Sequence, residues 1–146
     1  MSYWDTSTLV KLYAQEPDSA LFEAQGMSDA TRTVSSRMAL YEARAAFQRK
    51  EAEGILQPDA AEKLYGELLH DVAAGEIHLV ELGSDLEREY GQVLTWCYQQ
   101  TPAIPLRTLD ALHLAAARVA GQTDLVATDK RMRVAAKALG FSLFPP

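Results

Sequence analysis

Short apolar runs alternate with longer helix-like patterns along this chain of 146 residues. Each short run holds a few consecutive apolar or β-branched residues between polar and turn-forming ones, which is typical of brief central strands. The predicted strands span residues 2–5, 31–35, 77–82, 125–128 and 142–144. The alternation predicts an α/β domain over residues 1–146, with a central, mostly parallel sheet of short strands and helices on both faces.

Glycines and capping patterns indicate where the helices between these strands begin and end. A glycine closes a helix well because it adopts the left-handed conformation, and the helical patterns here are followed by Gly54, Gly75, Gly121 and Gly140. Ser84 and Glu87 have the spacing of a capping box, and Pro58 stands where the first turn of a helix accepts proline. The pattern predicts helices over 59–74, 85–100 and 108–120, with Thr108 as the cap of the last and a proline-rich connector over 101–105.

The overall charge limits the class of function. The formal net charge of −6 at pH 7 argues against a generic nucleic-acid binder, whose surface is usually basic. It does not argue against a nuclease, because carboxylates that hold divalent cations count fully in the formal charge but present a less negative face once the metal is bound.

No run approaches the roughly 20 apolar residues of a membrane span, and no signal peptide is visible at the N-terminus. We therefore expect a soluble, cytoplasmic protein that does not enter a membrane. Cys97 is the single cysteine and has no partner for an internal disulfide. We expect it to be a small buried core residue.

Four acidic residues occupy positions where an ordinary core would not accept them: Asp5, Glu42, Asp110 and Asp129. Burying an unpaired carboxylate costs several kcal/mol or forces the group neutral. Asp5 and Asp129 each end a predicted strand, and ligands of parallel sheets bind beyond the carboxyl ends of the strands. If the two strands are neighbours, both carboxylates face that crevice, and Glu42 and Asp110 then reach it from helices.

Each acidic residue also has an ordinary structural interpretation. Asp5 and Asp129 are possible helix N-caps, and Asp110 lies in a first helical turn, where the helix dipole favours a negative charge. For Glu42 the ordinary interpretation is a solvated helix face with Arg44 and Arg49 nearby. It is weaker, because the neighbours of Glu42 at three and four positions are all uncharged: Met38, Ala39, Ala45 and Ala46. As a set, the four carboxylates offer the oxygen ligands that suit Mg²⁺ or Mn²⁺.

Other chemistries have less support. His70, His78 and His113 have no partner at a metal-ligand spacing, so we interpret all three as structural or surface residues. The motifs of zinc hydrolases, dinucleotide-binding domains and P-loop proteins do not occur.

Four short motifs in this order resemble those of the PIN-domain ribonucleases, and most of all the VapC-type toxins of bacterial toxin–antitoxin pairs. They are Tyr-Trp-Asp-Thr-Ser at 3–7, Ser-Ser-Arg at 35–37 with Glu42, Leu-Arg-Thr-Leu-Asp-Ala-Leu-His-Leu-Ala-Ala-Ala at 106–117, and Val-Ala-Thr-Asp-Lys-Arg-Met at 126–132. Each motif is modest alone, whereas the ordered combination is specific and runs nearly from end to end of the chain.

The resemblance implies an acidic metal site formed by Asp5, Glu42, Asp110 and Asp129, with Thr6 or Ser7 as supporting polar contacts. It also implies Mg²⁺ or Mn²⁺, a homodimer, and a cognate antitoxin whose tail masks the site. One position departs from the pattern. Many relatives have threonine or serine two residues before the last acid, whereas this chain has Ala127 there and places its threonine at Thr128.

Our first hypothesis is metal-dependent hydrolysis of RNA phosphodiester bonds at this site. The cations that follow Asp129 would hold flanking phosphates or simply form a solvated helix face; they are Lys130, Arg131 and Arg133.

Two alternatives come from other classes of function. The first is a phosphohydrolase with Asp5 as covalent nucleophile, which is weakened because Ser7 stands where a second aspartate would protonate the leaving group. The second is a non-catalytic interaction protein that keeps the fold and binds its partner.

Overall fold

A computed structural model describes residues 1–28 and 33–146. Their strands are β1 (Tyr3–Trp4), β2 (Thr33–Ser36), β3 (Ile77–Val80), β4 (Asp124–Val126) and β5 (Ser142–Phe144). They form one sheet in the order β3-β2-β1-β4-β5, and every neighbouring pair is parallel. The predicted parallel sheet of short strands is therefore confirmed, while residues 31 and 32 of the predicted second strand lie outside the described residues.

The described helices alternate with these strands. They are α1 (Thr6–Val10), α2 (Ser19–Ser28), α3 (Arg37–Ala52), α4 (Ala60–Ala74), α5 (Ser84–Tyr98), α6 (Thr108–Val119) and α7 (Lys130–Ala138). Gly75 ends α4 with a φ of 80°, the left-handed conformation that glycine adopts without a Cβ penalty. In this part of the chain, no helix has the length and apolar character that a bilayer span requires.

The predicted signals at the starts of three helices differ from the structure by about one residue. Gly83, not Ser84, is the N-cap of α5, and Arg107, not Thr108, is the N-cap of α6. The reason is that a cap residue has an extended backbone, and the chain is already helical at the serine and the threonine. Pro58 lies outside the first turn of α4, because Asp59 stands between it and the helix as the N-cap.

Helices cover both faces of the sheet, as predicted, because consecutive strand residues point to opposite faces. Tyr3 packs into a core with apolar residues of α5, α6 and α7, whereas Trp4 packs into a second core with residues of α1 to α4. Both aromatic side chains are fully buried. Cys97 belongs to the first core and is buried, as expected from the sequence.

The order of the strands places the candidate site. The chain winds outward from β1 through β2 to β3, and then returns to place β4 on the other side of β1. A crevice for ligands opens where the winding direction reverses, beyond the carboxyl ends of β1 and β4. Asp5 follows β1 directly, and its N–H donates to the Val126 carbonyl at the end of β4 over 3.2 Å.

Candidate active site

One cavity of about 310 Å³ is lined by all four acidic residues singled out from the sequence, Asp5, Glu42, Asp110 and Asp129. The four come from different elements: Asp5 follows β1, Glu42 lies in α3, Asp110 is in the first turn of α6, and Asp129 precedes α7. Residues far apart in the sequence therefore meet at the crevice between β1 and β4.

Asp5 is both a helix cap and a wall of this cavity. Its Oδ1 atom accepts hydrogen bonds from the Thr8 N–H at 2.8 Å and the Thr8 hydroxyl at 2.7 Å, and the Ser7 hydroxyl donates to the carboxylate at 3.0 Å. Only 5% of the residue is exposed. Burial raises the pKa of the Asp5 carboxyl above its ordinary value of 3.8 in spite of these donors. The charged form is thus incompletely compensated by the protein, and a nearby cation would stabilise it.

Glu42 is half-buried and held by two polar side chains. Its Oε1 atom accepts a hydrogen bond from the Thr6 hydroxyl at 2.8 Å and lies 2.8 Å from the Nε2 atom of His113. Partial burial acts to raise the pKa of the Glu42 carboxyl, but the hydrogen bond and charge of His113, with the Thr6 hydroxyl, outweigh it and hold that pKa below its ordinary value. Glu42 is therefore an oriented carboxylate.

His113 is the first functional candidate that the sequence did not single out. The interpretation as a structural or surface residue misses that this buried side chain lines the acidic cavity. Its Nδ1 atom lies 2.8 Å from the Tyr3 hydroxyl, and its Nε2 atom faces Glu42. The signal was the three-residue spacing from Asp110, which places both side chains on one face of α6. His70 and His78 are exposed, as expected.

Arg107 is the second residue that the sequence did not single out. Its guanidinium donates to both carboxylate oxygens of Asp110, at 2.7 and 3.3 Å, and to Oδ2 of Asp129 at 2.9 Å. Asp129 also caps α7 by accepting the Met132 N–H at 3.0 Å. The Arg107 side chain therefore joins Asp110 and Asp129. The spacing of three residues between Arg107 and Asp110 was the sequence signal that could have indicated this contact.

The polar residues predicted to support the acids lie beside them. Thr6 and Ser7 support the acids directly, through Glu42 and Asp5 respectively. Thr128 is exposed and lines the cavity, whereas Ala127 is buried in the core.

The basic residues of α7 do not share one environment. Lys130 and Arg131 are exposed. The guanidinium of Arg133 donates to the backbone carbonyls of Ala127 and Pro145, each at 2.7 Å. Arg133 thereby ties the start of α7 to the C-terminal residues, and its predicted role as a phosphate contact stays a prediction.

The chemistry of the cavity fits a divalent cation. The four acidic side chains offer only oxygen ligands, the kind that Mg²⁺ and Mn²⁺ prefer. The burial of Asp5 leaves negative charge to be compensated, and the guanidinium between Asp110 and Asp129 shows that a positive group fits there. Arg107 and His113 engage three of the carboxylates, those of Asp110, Asp129 and Glu42. Among residues 1–28 and 33–146, no three possible ligands lie close enough together to hold one metal ion.

The family of the chain follows from a comparison with protein-family models. The PIN domain model matches residues 2–138, so the chain belongs to the PIN domain family. Nucleases of this family generally use divalent metal ions. The search of curated proteins finds no match.

Solved structures show the same fold at low sequence identity. VapC20 of Mycobacterium tuberculosis, described as a Sarcin-Ricin loop cleaving toxin, is 18% identical with a TM-score of 0.68, and the match covers 97% of each chain. FitAcB from Neisseria gonorrhoeae is 15% identical with a TM-score of 0.71, over 100% of this chain and 98% of that one. VapBC2 from Rickettsia felis, bound to a promoter DNA fragment, is 16% identical with a TM-score of 0.66, over 98% and 97%.

Proposed function

We propose that this PIN domain is a metal-dependent endoribonuclease toxin of the VapC type, which hydrolyses RNA phosphodiester bonds with Mg²⁺ or Mn²⁺ at the cavity lined by Asp5, Glu42, Asp110 and Asp129. The observation that supports this most is the convergence of these four carboxylates in one cavity of a PIN domain, beyond the ends of β1 and β4 where the winding direction of the sheet reverses. Helix capping explains Asp5 and Asp129 one by one, but it does not explain why four carboxylates line the same cavity.

The side chains divide the work at the site. The four acids would hold the cation, and a divalent cation supplies an activated water molecule and stabilises negative charge on the phosphate and the leaving oxygen. His113 and Thr6 orient Glu42, while Ser7 and Thr8 orient Asp5. This second layer of hydrogen bonds keeps the carboxylates in a fixed arrangement, which improves both metal binding and catalysis.

The surroundings of the cavity suit an anionic substrate. Lys130 and Arg131 are exposed directly after Asp129, at the start of α7. We propose that they hold phosphates that flank the cleaved bond, because lysine and arginine contacts to phosphate position nucleic acids without reading their sequence.

We further propose that a cognate antitoxin covers the cavity, that the toxin is a homodimer, and that it acts in the cytoplasm. The support for the antitoxin is the similarity of fold to FitAcB and VapBC2, since the solved structures that this chain resembles include toxin–antitoxin complexes. An antitoxin that binds this cavity needs to contribute positive charge, because the acids would otherwise repel it.

The test is cleavage of total RNA by the purified chain, free of any co-purified partner. We expect cleavage with Mn²⁺, none with excess chelator, and recovery when Mn²⁺ is restored. Asp5→Asn and Asp110→Asn are expected to abolish cleavage and to keep the circular dichroism spectrum of the wild type. Full cleavage by folded Asp5→Asn would contradict the site, and cleavage that resists the chelator would remove the metal from the mechanism.

The same preparation separates the alternatives. A phosphoaspartate at Asp5, trapped from a phosphorylated substrate, would support the phosphohydrolase. A chain that binds its partner but leaves every RNA intact with Mn²⁺ would support the non-catalytic protein.

A further inference from the structure

A second groove of about 400 Å³ adjoins the acidic cavity. It shares three lining residues with that cavity, Thr6, Ser7 and Glu42, and extends past Ala45 to Arg49 and Lys50. The two spaces are therefore neighbours along one surface, and Glu42 lies where they meet.

Helix α3 forms the floor of this groove. Glu42, Ala45, Ala46 and Arg49 follow the three- and four-residue spacing that places side chains on one face of a helix. Seven residues of α-helix rise by about 10 Å, so Arg49 lies roughly two turns beyond Glu42. The small alanine side chains between them leave the groove open.

Arg49 differs from the other cations near the groove. The Lys50 Nζ atom pairs with Glu16 at 3.5 Å. Arg44, on the same helix, pairs with Glu62 at 3.3 Å and lies over the ring of Tyr65 at 4.9 Å. In the part of the chain that the structure describes, Arg49 has neither an ion pair nor a side-chain hydrogen bond, and its side chain is exposed at the end of the groove.

We infer that this groove is the binding site for the single-stranded RNA next to the cleaved bond, with Arg49 as its phosphate contact. The inference rests on the proposed ribonuclease function and adds a substrate site on α3 that the basic residues of α7 do not account for. The free guanidinium supplies charge complementary to a phosphate, and the shared residues make the groove continuous with the acids. A strand in the groove would run from Arg49 over Thr6 and Ser7 to the cleavage site.

The test measures RNA binding apart from cleavage. In the Asp5→Asn background, which we expect to hold the substrate without cutting it, Arg49→Gln is compared with Arg44→Gln, Arg49→Lys and the unsubstituted background. A labelled single-stranded RNA that wild-type protein cleaves is titrated at several salt concentrations by fluorescence anisotropy. Thermal unfolding checks that each variant is folded, since Arg49 also lies in the last turn of α3.

We expect Arg49→Gln to weaken binding at low salt by about tenfold and to reduce the slope of log K against log salt by about 0.7, the value for one phosphate contact on a single strand. Arg49→Lys should keep most of that slope. Arg44→Gln should bind within about twofold of the background, because its guanidinium is engaged by Glu62 away from the groove.

Two results would overturn the inference, and they are distinguishable. If the background binds RNA and folded Arg49→Gln binds equally well with the same salt slope, the groove does not hold the strand and the ribonuclease proposal stands. The inference about RNA is also overturned if Arg49→Gln leaves RNA binding unchanged and weakens only the complex with the antitoxin. If wild type cleaves no RNA and the background binds none, both the proposed function and the substrate groove fail.

Discussion

The Nε2 atom of His113 lies 2.8 Å from the Oε1 atom of Glu42 and thereby joins helices α6 and α3 across the candidate site. On its other side, the imidazole is fixed by the Tyr3 hydroxyl, 2.8 Å from Nδ1. A chain of three side chains therefore runs from the core strand to a carboxylate of the cavity. Such second-layer contacts orient the groups that hold a metal.

His113→Asn is expected to lower RNA cleavage with Mn²⁺ by roughly 10- to 100-fold, because Glu42 loses the side chain that orients it. Initial rates measure this effect. His70→Asn is the matched control, since His70 is exposed on α4, and it should cleave at the wild-type rate. A wild-type rate for His113→Asn would show that the contact with Glu42 has no catalytic consequence.

Tyr3→Phe removes one hydroxyl from the core and leaves the Nδ1 atom of buried His113 without that partner. We expect the free energy of unfolding to fall by about 1–3 kcal/mol, the usual cost of an unsatisfied buried polar group. Urea titration measures the change. Tyr41→Phe is the control, because Tyr41 is exposed, and it should unfold like the wild type. If Tyr3→Phe also unfolds like the wild type, the hydrogen bond between Tyr3 and His113 is contradicted.

The stability of the metal-free protein should depend on pH in opposite directions through Asp5 and Glu42. The raised pKa of Asp5 means that the folded chain binds this proton more tightly than the unfolded chain. Wild type therefore loses stability relative to Asp5→Asn as the pH rises from the ordinary value of 3.8 through the raised pKa of Asp5. The lowered pKa of Glu42 has the reverse effect. The stability of wild type relative to Glu42→Gln increases as the pH rises through that pKa to the ordinary value of 4.5.

Urea titrations at a series of pH values with chelator present measure both differences. Stability curves for the two variants that stay parallel to the wild-type curve over this range would show that neither carboxyl is perturbed in the folded protein.

Arg107→Gln should bind Mn²⁺ more tightly than the wild type, by roughly fivefold or more. The guanidinium lies between Asp110 and Asp129, so a cation must compete with it for the same oxygens. Isothermal titration with Mn²⁺ measures the affinity, and Arg107→Lys, which retains the charge, should stay nearer the wild type. Weaker Mn²⁺ binding by Arg107→Gln would mean instead that the arginine holds the two carboxylates in place for the metal.

Much of this architecture is visible in the sequence because the strands are short apolar runs between clear breaks. The run ending at Trp4 and the run around Val126 become neighbouring strands, so the acids that follow them, Asp5 and Asp129, lie at the same edge of the sheet. Glu42 was recognisable because an uncharged neighbourhood does not explain a carboxylate. The helix caps were less predictable. Both Gly83 and Ser84 are residue types that occur at N-caps, and only the backbone conformation shows that Gly83 is the cap of α5.

The polar partners of the acids required the tertiary structure. Local sequence places His113 among leucines and alanines, and nothing nearby in the chain indicates that Glu42, 71 positions away, is its partner. Arg107 likewise precedes a helix as an ordinary surface cation, and its bond to Asp129 forms only when α6 and α7 are placed beside each other. The acids were identified from local pattern, whereas the contacts of Glu42 with His113 and of Asp129 with Arg107 join residues distant in sequence.

The most direct test of the central claim, that four carboxylates act as one metal-dependent ribonuclease site, is cleavage of RNA by Glu42→Gln beside the wild type with Mn²⁺. Glutamine keeps the size of the side chain and a carbonyl that accepts from Thr6, so the substitution removes chiefly the charge. The account predicts a loss of cleavage of about 100-fold or more in a protein that remains folded. Cleavage at the wild-type rate by folded Glu42→Gln would contradict it.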